Sequence, residues 1–345
     1  MAAEFHEARW WRHEAEGRIL CELCPHGCRL KEEQSGFCRV RRREGDRLLS
    51  LSYAHPTGFA ADPIEKKPLF HFLPGSTSLS FGTLGCTLGC RFCQNWMHSH
   101  AEVLRAARRR VAPEEVVALA EREGAASISY TYNEPTVFGE FVCDVSRMAR
   151  ERGIRNVLVS NGYVNPAPRS EIYARIDAVN VDLKAFSDEF YRREAKGRLQ
   201  PVLDTLVWLR RETQVWIEIT TLLIPGLNDS AEMLTEECRW LVDELGPQVP
   251  VHFTAFHPDF QMLDREATPP ATLARAHAIA REAGLQHVYV GNVNDAERQT
   301  TFCTQCGARL IERSWRAVHI VGLEGSRCVQ CSQPLAGVFD PPAEA

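Results

Sequence analysis

The stretch "GCTLGCRFCQNW", residues 85–96, places Cys86, Cys90 and Cys93 in one loop-length segment. A closed structural metal site takes four protein ligands. Three thiolates leave one coordination position open, and an open position on a metal is where chemistry is done. Directly before the cysteines runs "SLSFGT" (78–83), a short strand-like segment. The loop therefore leaves the carboxyl end of a strand, the end at which parallel α/β folds carry their active sites.

The same grammar repeats along the chain. Apolar runs rich in β-branched residues follow at "ASISY" (126–130), "NVLVS" (156–160), "AVNVDL" (178–183), "VWIEIT" (215–220), "VHFTAF" (251–256) and "HVYVG" (287–291). Amphipathic stretches lie between them. "PEEVVALAEREG" (113–124) opens on proline and closes on glycine, as helix ends prefer, and "TPPATLARAHAIAREAG" (268–284) does the same. About six β-α units in sequence predict an α/β fold with a parallel sheet and right-handed crossovers. A barrel, complete or partial, and a doubly wound sheet both fit. The expected division is an N-terminal four-cysteine module at 1–50, a lead-in at 51–77, the α/β body at 78–298 and a C-terminal metal module at 299–345.

The formal net charge of −5 argues against a dominant attraction to nucleic acid. The basic run "RAARRR" (105–110) reads as a solvated segment. No apolar stretch has the length that spans a bilayer. The start, "MAAEFHEARWWRHEAEGRIL", lacks the apolar middle of a secretory signal, and the tail "DPPAEA" reads as frayed. A cytoplasmic location is expected, with no membrane partner. Reducing conditions there disfavour disulfides, so the thirteen cysteines need another explanation. Eleven fall into three clusters. Cys143 and Cys238 stand alone in helix-like segments and read as small buried hydrophobes.

Thiolate-rich sites suit iron–sulfur clusters, and a [4Fe–4S] cluster has four irons to ligate. Cys86, Cys90 and Cys93 would hold three of them and leave one iron free for a small molecule. The alternatives are zinc completed by His98 or His100, or cysteines buried for packing. Gly85, Gly89 and Arg91 are poor core formers, which disfavours packing.

C-x3-C-x2-C with Phe92 before the last cysteine resembles the signature of the radical S-adenosylmethionine (radical SAM) enzymes. The resemblance implies a partial (β/α)6 barrel and a [4Fe–4S] cluster whose free iron is chelated by SAM. It implies reductive cleavage of SAM to a 5′-deoxyadenosyl radical that takes hydrogen from a substrate, with an electron donor such as ferredoxin or flavodoxin. Where the superfamily carries a Gly-Gly-Glu segment facing the SAM amino group, this chain reads "YTYNEPT". Glu134 keeps the acid, and Tyr132 and Asn133 replace the glycines. Glu134 also suits a helix N-terminus. Ser160, Asn161 and Gly162 form a polar turn suited to ribose hydroxyls. Asp182 and Lys184 fall on one side of a strand by period two. A similar Asp-x-Lys pair lies at the SAM carboxylate in glycyl-radical activating enzymes, such as those of pyruvate formate-lyase. "TTLLIPGLND" (220–229) resembles their PG-x-x-D segment, whereas Val159 stands where they often carry aspartate. The cofactor-binding candidates are thus Asn133, Glu134, Ser160, Asn161, Asp182 and Lys184. Lys184 and His257, the latter in "AFHPDF", are the catalytic candidates. Lys66 and Lys67 of "EKKP" could reach an anionic substrate or the SAM carboxylate.

"CELCPHGC…GFCRVR", "DPIEKKPLFHFLPG", "GCTLGCRFCQNW", "TYNEPT", "AFHPDF" and paired C-terminal CxxC motifs, together spanning about residues 18–338, are similar to the AmmeMemoRadiSam-system radical SAM enzymes. That resemblance implies a Memo-like and an AMMECR-like protein as partners. The rival readings are a glycyl-radical enzyme activase, a non-catalytic metal scaffold or electron carrier, and a nucleic-acid-modifying enzyme.

Two further clusters flank the body. Cys303, Cys306, Cys328 and Cys331 form C-x2-C-x21-C-x2-C around a hairpin-like "ARLIERSWRAVHIVGL", a spacing close to a zinc ribbon. Zinc or a rubredoxin-like iron would fit, and iron would offer an electron route. Cys21, Cys24, Cys28 and Cys38 form C-x2-C-x3-C-x9-C. They suit either zinc or an auxiliary [4Fe–4S] cluster, with His26 a less favoured ligand.

Overall fold

Period-two alternation decides which side of each strand meets the helices. In "TSLSFG", Leu79 and Phe81 point one way and Ser78 and Ser80 the other, and all four are buried. The apolar side of such a strand packs under helices. The polar side must face a polar interior, because buried polar groups need partners.

The computed structural model describes residues 5–100, 109–314 and 317–339. Most of the basic run at 105–110 and the tail lie outside the described residues. The body is one eight-stranded sheet: β1 (Thr57–Pro63), β2 (Thr77–Gly82), β3 (Ser127–Tyr130), β4 (Arg155–Ser160), β5 (Ala178–Asp182), β6 (Trp216–Leu223), β7 (Val251–Ala255) and β8 (Val288–Gly291). The strands lie in strict chain order across the sheet. β2 to β8 are parallel, and β1 pairs antiparallel with β2. Helices fill the crossovers: α1 (Pro113–Arg122), α2 (Gly139–Glu151), α3 (Pro166–Tyr173), α4 (Gln200–Glu212), α5 (Ala231–Leu245) and α6 (Pro270–Glu282). A doubly wound sheet would reverse its strand order part-way. This one does not, so the fold is the partial (β/α)6 barrel with small cysteine-rich modules at each end.

All seven expected parallel strands are present. β1 was not expected, because it lies in what reads as a lead-in. "TGFAADP" has no β-branched run and ends in proline, which an edge strand tolerates since one side of it needs no ladder donors.

The inner face carries Ser129, Asn180, Glu218, Thr220, His252 and Thr254, all buried. The outer face carries Ile128, Tyr130, Val179, Val181, Ile219 and Phe253 against the helices. Each such side chain contributes about 1.5–3 kcal/mol by burial. Cys238 in α5 and Cys143 in α2 pack with this apolar layer, as small hydrophobes would.

A buried polar network closes the amino end of the barrel. The Glu218 carboxylate accepts from the backbone N–H of Phe70 (2.9 Å) and His71 (2.7 Å) and from Trp216 Nε1 (3.1 Å). His252 Nε2 lies 2.6 Å from its other side. His71 in turn bonds Tyr289 OH at 2.6 Å and the Ala336 carbonyl at 2.7 Å. Arg313 donates to the Phe70 carbonyl at 2.6 Å. This network ties the C-terminal module to the barrel floor. That module holds the expected hairpin, Arg309–Arg313 against Val318–Ile320.

The N-terminal module is built from two three-stranded antiparallel sheets. Arg41 of this module and Glu140 of α2 join it to the body through a fully buried, two-pronged ion pair at 2.6 and 2.8 Å.

One acid in the helical layer makes stability depend on pH. Glu237 in α5 is buried and bonds Thr221 Oγ1 at 2.5 Å. Burial pushes its pKa from 4.5 up to about 7. A raised folded-state pKa means the folded chain holds the proton more tightly, so stability falls as pH rises from about 4.5 to about 7. Glu237→Gln is expected to remove that slope and to stabilise the protein at pH above 7 by on the order of 2 kcal/mol. Urea unfolding of both proteins across this range checks it. Parallel stability curves would contradict it.

Candidate active site

A cavity of about 340 Å³ opens at the carboxyl ends of the strands. Cys86, Cys90 and Cys93 line it, with Val159 of β4, Asp182 of β5, Thr220 and Leu222 of β6, Thr254 of β7, and Glu134, Asn161, Lys184 and Asn292 from the following loops. Strand parity explains this set. Asp182, Thr220 and Thr254 continue the inward-facing polar rows of β5, β6 and β7.

The cysteine loop is pinned by contacts from far along the chain. Asn133 Oδ1 accepts from Thr83 N (2.9 Å), and its Nδ2 donates to the Gly85 carbonyl (2.8 Å). Behind it, a Cβ on Gly82 would stand 2.4 Å from the Thr131 carbonyl, so only glycine fits there. Asn161 Nδ2 donates to Thr87 Oγ1 at 3.1 Å and reaches Cys86 Sγ at 3.6 Å. The Leu88 N–H also points at Cys86 Sγ, at 3.4 Å, and Ser99 Oγ lies 3.0 Å from Cys93 Sγ.

Glu134 is buried and well partnered. Its Oε1 accepts from Thr136 N, Thr136 Oγ1 and Ser160 Oγ at 2.7–2.9 Å. Its Oε2 accepts from Asn161 N at 2.8 Å. The Thr136 bond makes Glu134 the N-cap of the short helix Pro135–Phe138. Oε2, with one donor, keeps accepting capacity toward the cavity. Burial raises the Glu134 pKa against those hydrogen bonds. Ser160 and Asn161 therefore spend most of their hydrogen-bonding capacity on Glu134 and the cysteine loop.

Asp182 and Lys184 meet at 2.9 Å. Burial works against the Lys184 ammonium, but the Asp182 carboxylate and then the Cys90 sulfur outweigh it, and its pKa stands above the usual lysine range. The Lys184 backbone is fixed from both sides: its N–H donates to Tyr191 OH (3.1 Å), and its carbonyl accepts from Asn228 Nδ2 (2.8 Å). Asn228 belongs to the "PGLND" segment. Burial also pushes the Cys90 thiol up to about 12, with Lys184 opposing, and raises Cys86 with help from Glu134. Thiols so buried ionise when a metal takes the proton's place.

The residues fit a cluster and a polar ligand. Among the described residues, three or more His, Cys, Asp or Glu ligand atoms come within 4.8 Å of one another only in the C-terminal quartet. Cys86, Cys90 and Cys93 are spread wider than one zinc ion allows. His98 Nδ1 bonds Thr57 Oγ1 and His100 Nδ1 bonds Ser99 Oγ, both at 2.9 Å, and neither histidine joins the cysteines as a zinc ligand. On the cavity wall, Gln94 Nε2 and Thr220 Oγ1 are buried without a hydrogen-bond partner, which suits a polar ligand.

His257 is a correction. It follows β7 as expected, but it is exposed and does not line the cavity. The turn after it packs Phe260 on Trp96, with ring centroids 5.6 Å apart, and leaves His257 at the surface. Lys67 does reach the cavity, paired with Asp62 at 3.0 Å beneath the Tyr132 ring. Asp62, Gln94, Thr220 and Asn292 were missed. Only Thr220 had a signal, as a polar residue in phase with Glu218 on a largely apolar strand.

In the C-terminal quartet, Cys303 and Cys331 Sγ are 3.5 Å apart and Cys306 and Cys328 Sγ 3.7 Å apart. One tetrahedral ion with bonds of about 2.3 Å needs about 3.8 Å between sulfurs. This module sits at the barrel floor, roughly 20 Å of strand away from the cavity. That distance disfavours it as an electron route to the cysteine loop.

The family model described as Radical SAM superfamily matches residues 81–241. An uncharacterized protein of Methanocaldococcus jannaschii is 40% identical over 331 residues, covering 95% of this chain and 98% of that one. A second protein of that organism, provisionally named a glycyl-radical enzyme activating enzyme, is 24% identical over 172 residues, 46% of this chain and 67% of that one. Among solved structures, Streptococcus suis SuiB bound to precursor peptide SuiA aligns with a TM-score of 0.50 at 16% identity, over 66% of this chain and 51% of that chain; it shows the fold alone. The chain belongs to the radical SAM superfamily, an enzyme superfamily whose members use a [4Fe–4S] cluster and SAM. No helix of the described residues is long and apolar enough to cross a membrane.

Proposed function

We propose that this protein is a radical SAM enzyme of the AmmeMemoRadiSam type, working on a substrate held in the barrel cavity. When bound, the cluster and SAM supply a one-electron reductive cleavage to methionine and a 5′-deoxyadenosyl radical that abstracts hydrogen from substrate. The observation that carries the reading is the convergence of Cys86, Cys90 and Cys93 with an acid, an Asp–Lys pair and unpartnered polar groups in one cavity.

This chain's residues do the holding. Cys86, Cys90 and Cys93 ligate three irons, and the Leu88 N–H and Asn161 amide point at the Cys86 sulfur, a contact that tunes such clusters. Glu134 Oε2 is the acceptor for the SAM amino group, and Lys184, steadied by Asp182, the donor to its carboxylate. The C-terminal quartet takes zinc, and a ferredoxin or flavodoxin supplies the electron. A cytoplasmic location and Memo-like and AMMECR-like partners belong to the same reading.

A second reading is a glycyl-radical enzyme activase. The Asp182–Lys184 pair, the "PGLND" segment and the partial match to the provisionally named activating enzyme favour it. Anaerobic protein loaded with iron and sulfide, given SAM and dithionite, should yield 5′-deoxyadenosine. Deuterium transfer into deoxyadenosine from labelled candidates, small molecules against a glycyl-radical protein, separates the two readings. Absence of deoxyadenosine, with and without the two partner proteins, would overturn both.

A further inference from the structure

The N-terminal cysteines have a place beside the active loop rather than at the periphery. The Cys38 carbonyl lies 2.5 Å from where a Cβ on Gly85 would stand, and Gly85 holds φ +91 to allow it. His26 Nε2 lies 2.8 Å from the Thr87 carbonyl, the residue after Cys86. Phe37 stacks on His26 with ring centroids 4.0 Å apart and covers Gly89.

Three observations bear on what these cysteines hold. First, the backbone folds these residues together: the Cys21 N–H donates to the Cys28 carbonyl at 2.9 Å, and the N–H of Phe37, the residue before Cys38, points at Cys28 Sγ at 3.4 Å. Second, no three of their sulfurs lie within 4.8 Å of one another, whereas the C-terminal quartet does meet that limit. A single zinc or iron draws its thiolates to about 3.8 Å apart. A cubane puts each thiolate on a different iron and spreads them. The N-terminal set shares the wide spacing of Cys86, Cys90 and Cys93, not the tight spacing of the C-terminal set. Third, Arg41, three residues after Cys38, is fully buried, and its Nε has no hydrogen-bond partner. Its other nitrogens are engaged by Glu140 and the Arg9 carbonyl. A buried cation with a spare donor suits an anionic, sulfur-rich centre.

We propose that Cys21, Cys24, Cys28 and Cys38 hold a second [4Fe–4S] cluster, adjoining the Cys86–Cys93 loop. With all four irons ligated by protein it has no open position, and it offers electron transfer rather than SAM chemistry. The assignment rests on the N-terminal sulfurs and stands apart from any SAM cleavage.

The test is a metal count on the full chain, reconstituted anaerobically with iron and sulfide and then desalted. The wild type should hold about eight iron, about eight sulfide and about one zinc. The Cys86→Ala/Cys90→Ala/Cys93→Ala variant should keep about four iron and about four sulfide, with a [4Fe–4S] Mössbauer spectrum. Cys21→Ser/Cys38→Ser in that background should remove them. About four iron with about two zinc in the wild type, or no sulfide in a folded triple variant, would overturn the assignment. Should the triple variant not fold, the wild-type iron-to-zinc ratio still decides.

Discussion

Cys90→Ala is expected to abolish 5′-deoxyadenosine formation and to lower the iron content by about four per chain, with little change in folding. Cys90 is buried on the wall of the cavity that Lys184 also lines. Outer partners of a metal are worth roughly 10- to 100-fold in affinity or activity, and a direct ligand is worth more, so the loss should exceed a hundredfold. Truncating one small side chain costs stability only on the order of 1 kcal/mol. Cys238→Ala is the control, because Cys238 packs in α5 against the apolar layer. It should cost stability and leave iron and deoxyadenosine unchanged. Deoxyadenosine from Cys90→Ala at wild-type rate would remove the site from the chemistry.

Glu140→Ala is expected to have the largest effect on folding. The pair with Arg41 is wholly buried, so truncating the acid leaves an uncompensated guanidinium in the interior. Breaking such a pair costs about 3–5 kcal/mol. For a chain of this size that lowers Tm by about 4–7 °C. Glu140 also accepts from the Arg9 N–H at 2.8 Å, so the N-terminal module loses two attachments to α2. Arg41→Met combined with Glu140→Leu should recover much of the loss, since an apolar replacement of the whole pair is often neutral or better. Calorimetry of the three proteins checks this. A change below 1 kcal/mol for Glu140→Ala would contradict it.

Local patterns in the sequence carried far. Seven strands follow from β-branched runs, and α1 and α6 from proline at one end and glycine at the other, because these are preferences of neighbouring residues. The cysteine loop could be placed because its strand precedes it directly. What failed depends on partners distant in the chain. Glu218 meets His71 across 147 residues, and no spacing rule reaches that far. Ser160 and Asn161 look free to bind a ribose, yet Glu134 and Thr87 engage them. His257 sits after the right strand, but the following turn decides its direction. The metal at the outer clusters could not be chosen from spacing, because CxxC turns serve both zinc and iron–sulfur centres. The assignment proposed for each rests on sulfur separation in three dimensions, which spacing along the chain does not give.

The central claim is that SAM binds the metal centre held by Cys86, Cys90 and Cys93. The most direct test is the electron paramagnetic resonance spectrum of the dithionite-reduced protein, recorded with and without SAM labelled in its amino group. The account predicts that SAM shifts part of the signal, that the label adds a hyperfine coupling, and that Cys90→Ala abolishes both. A spectrum that SAM leaves unchanged in protein with its full iron content would contradict it.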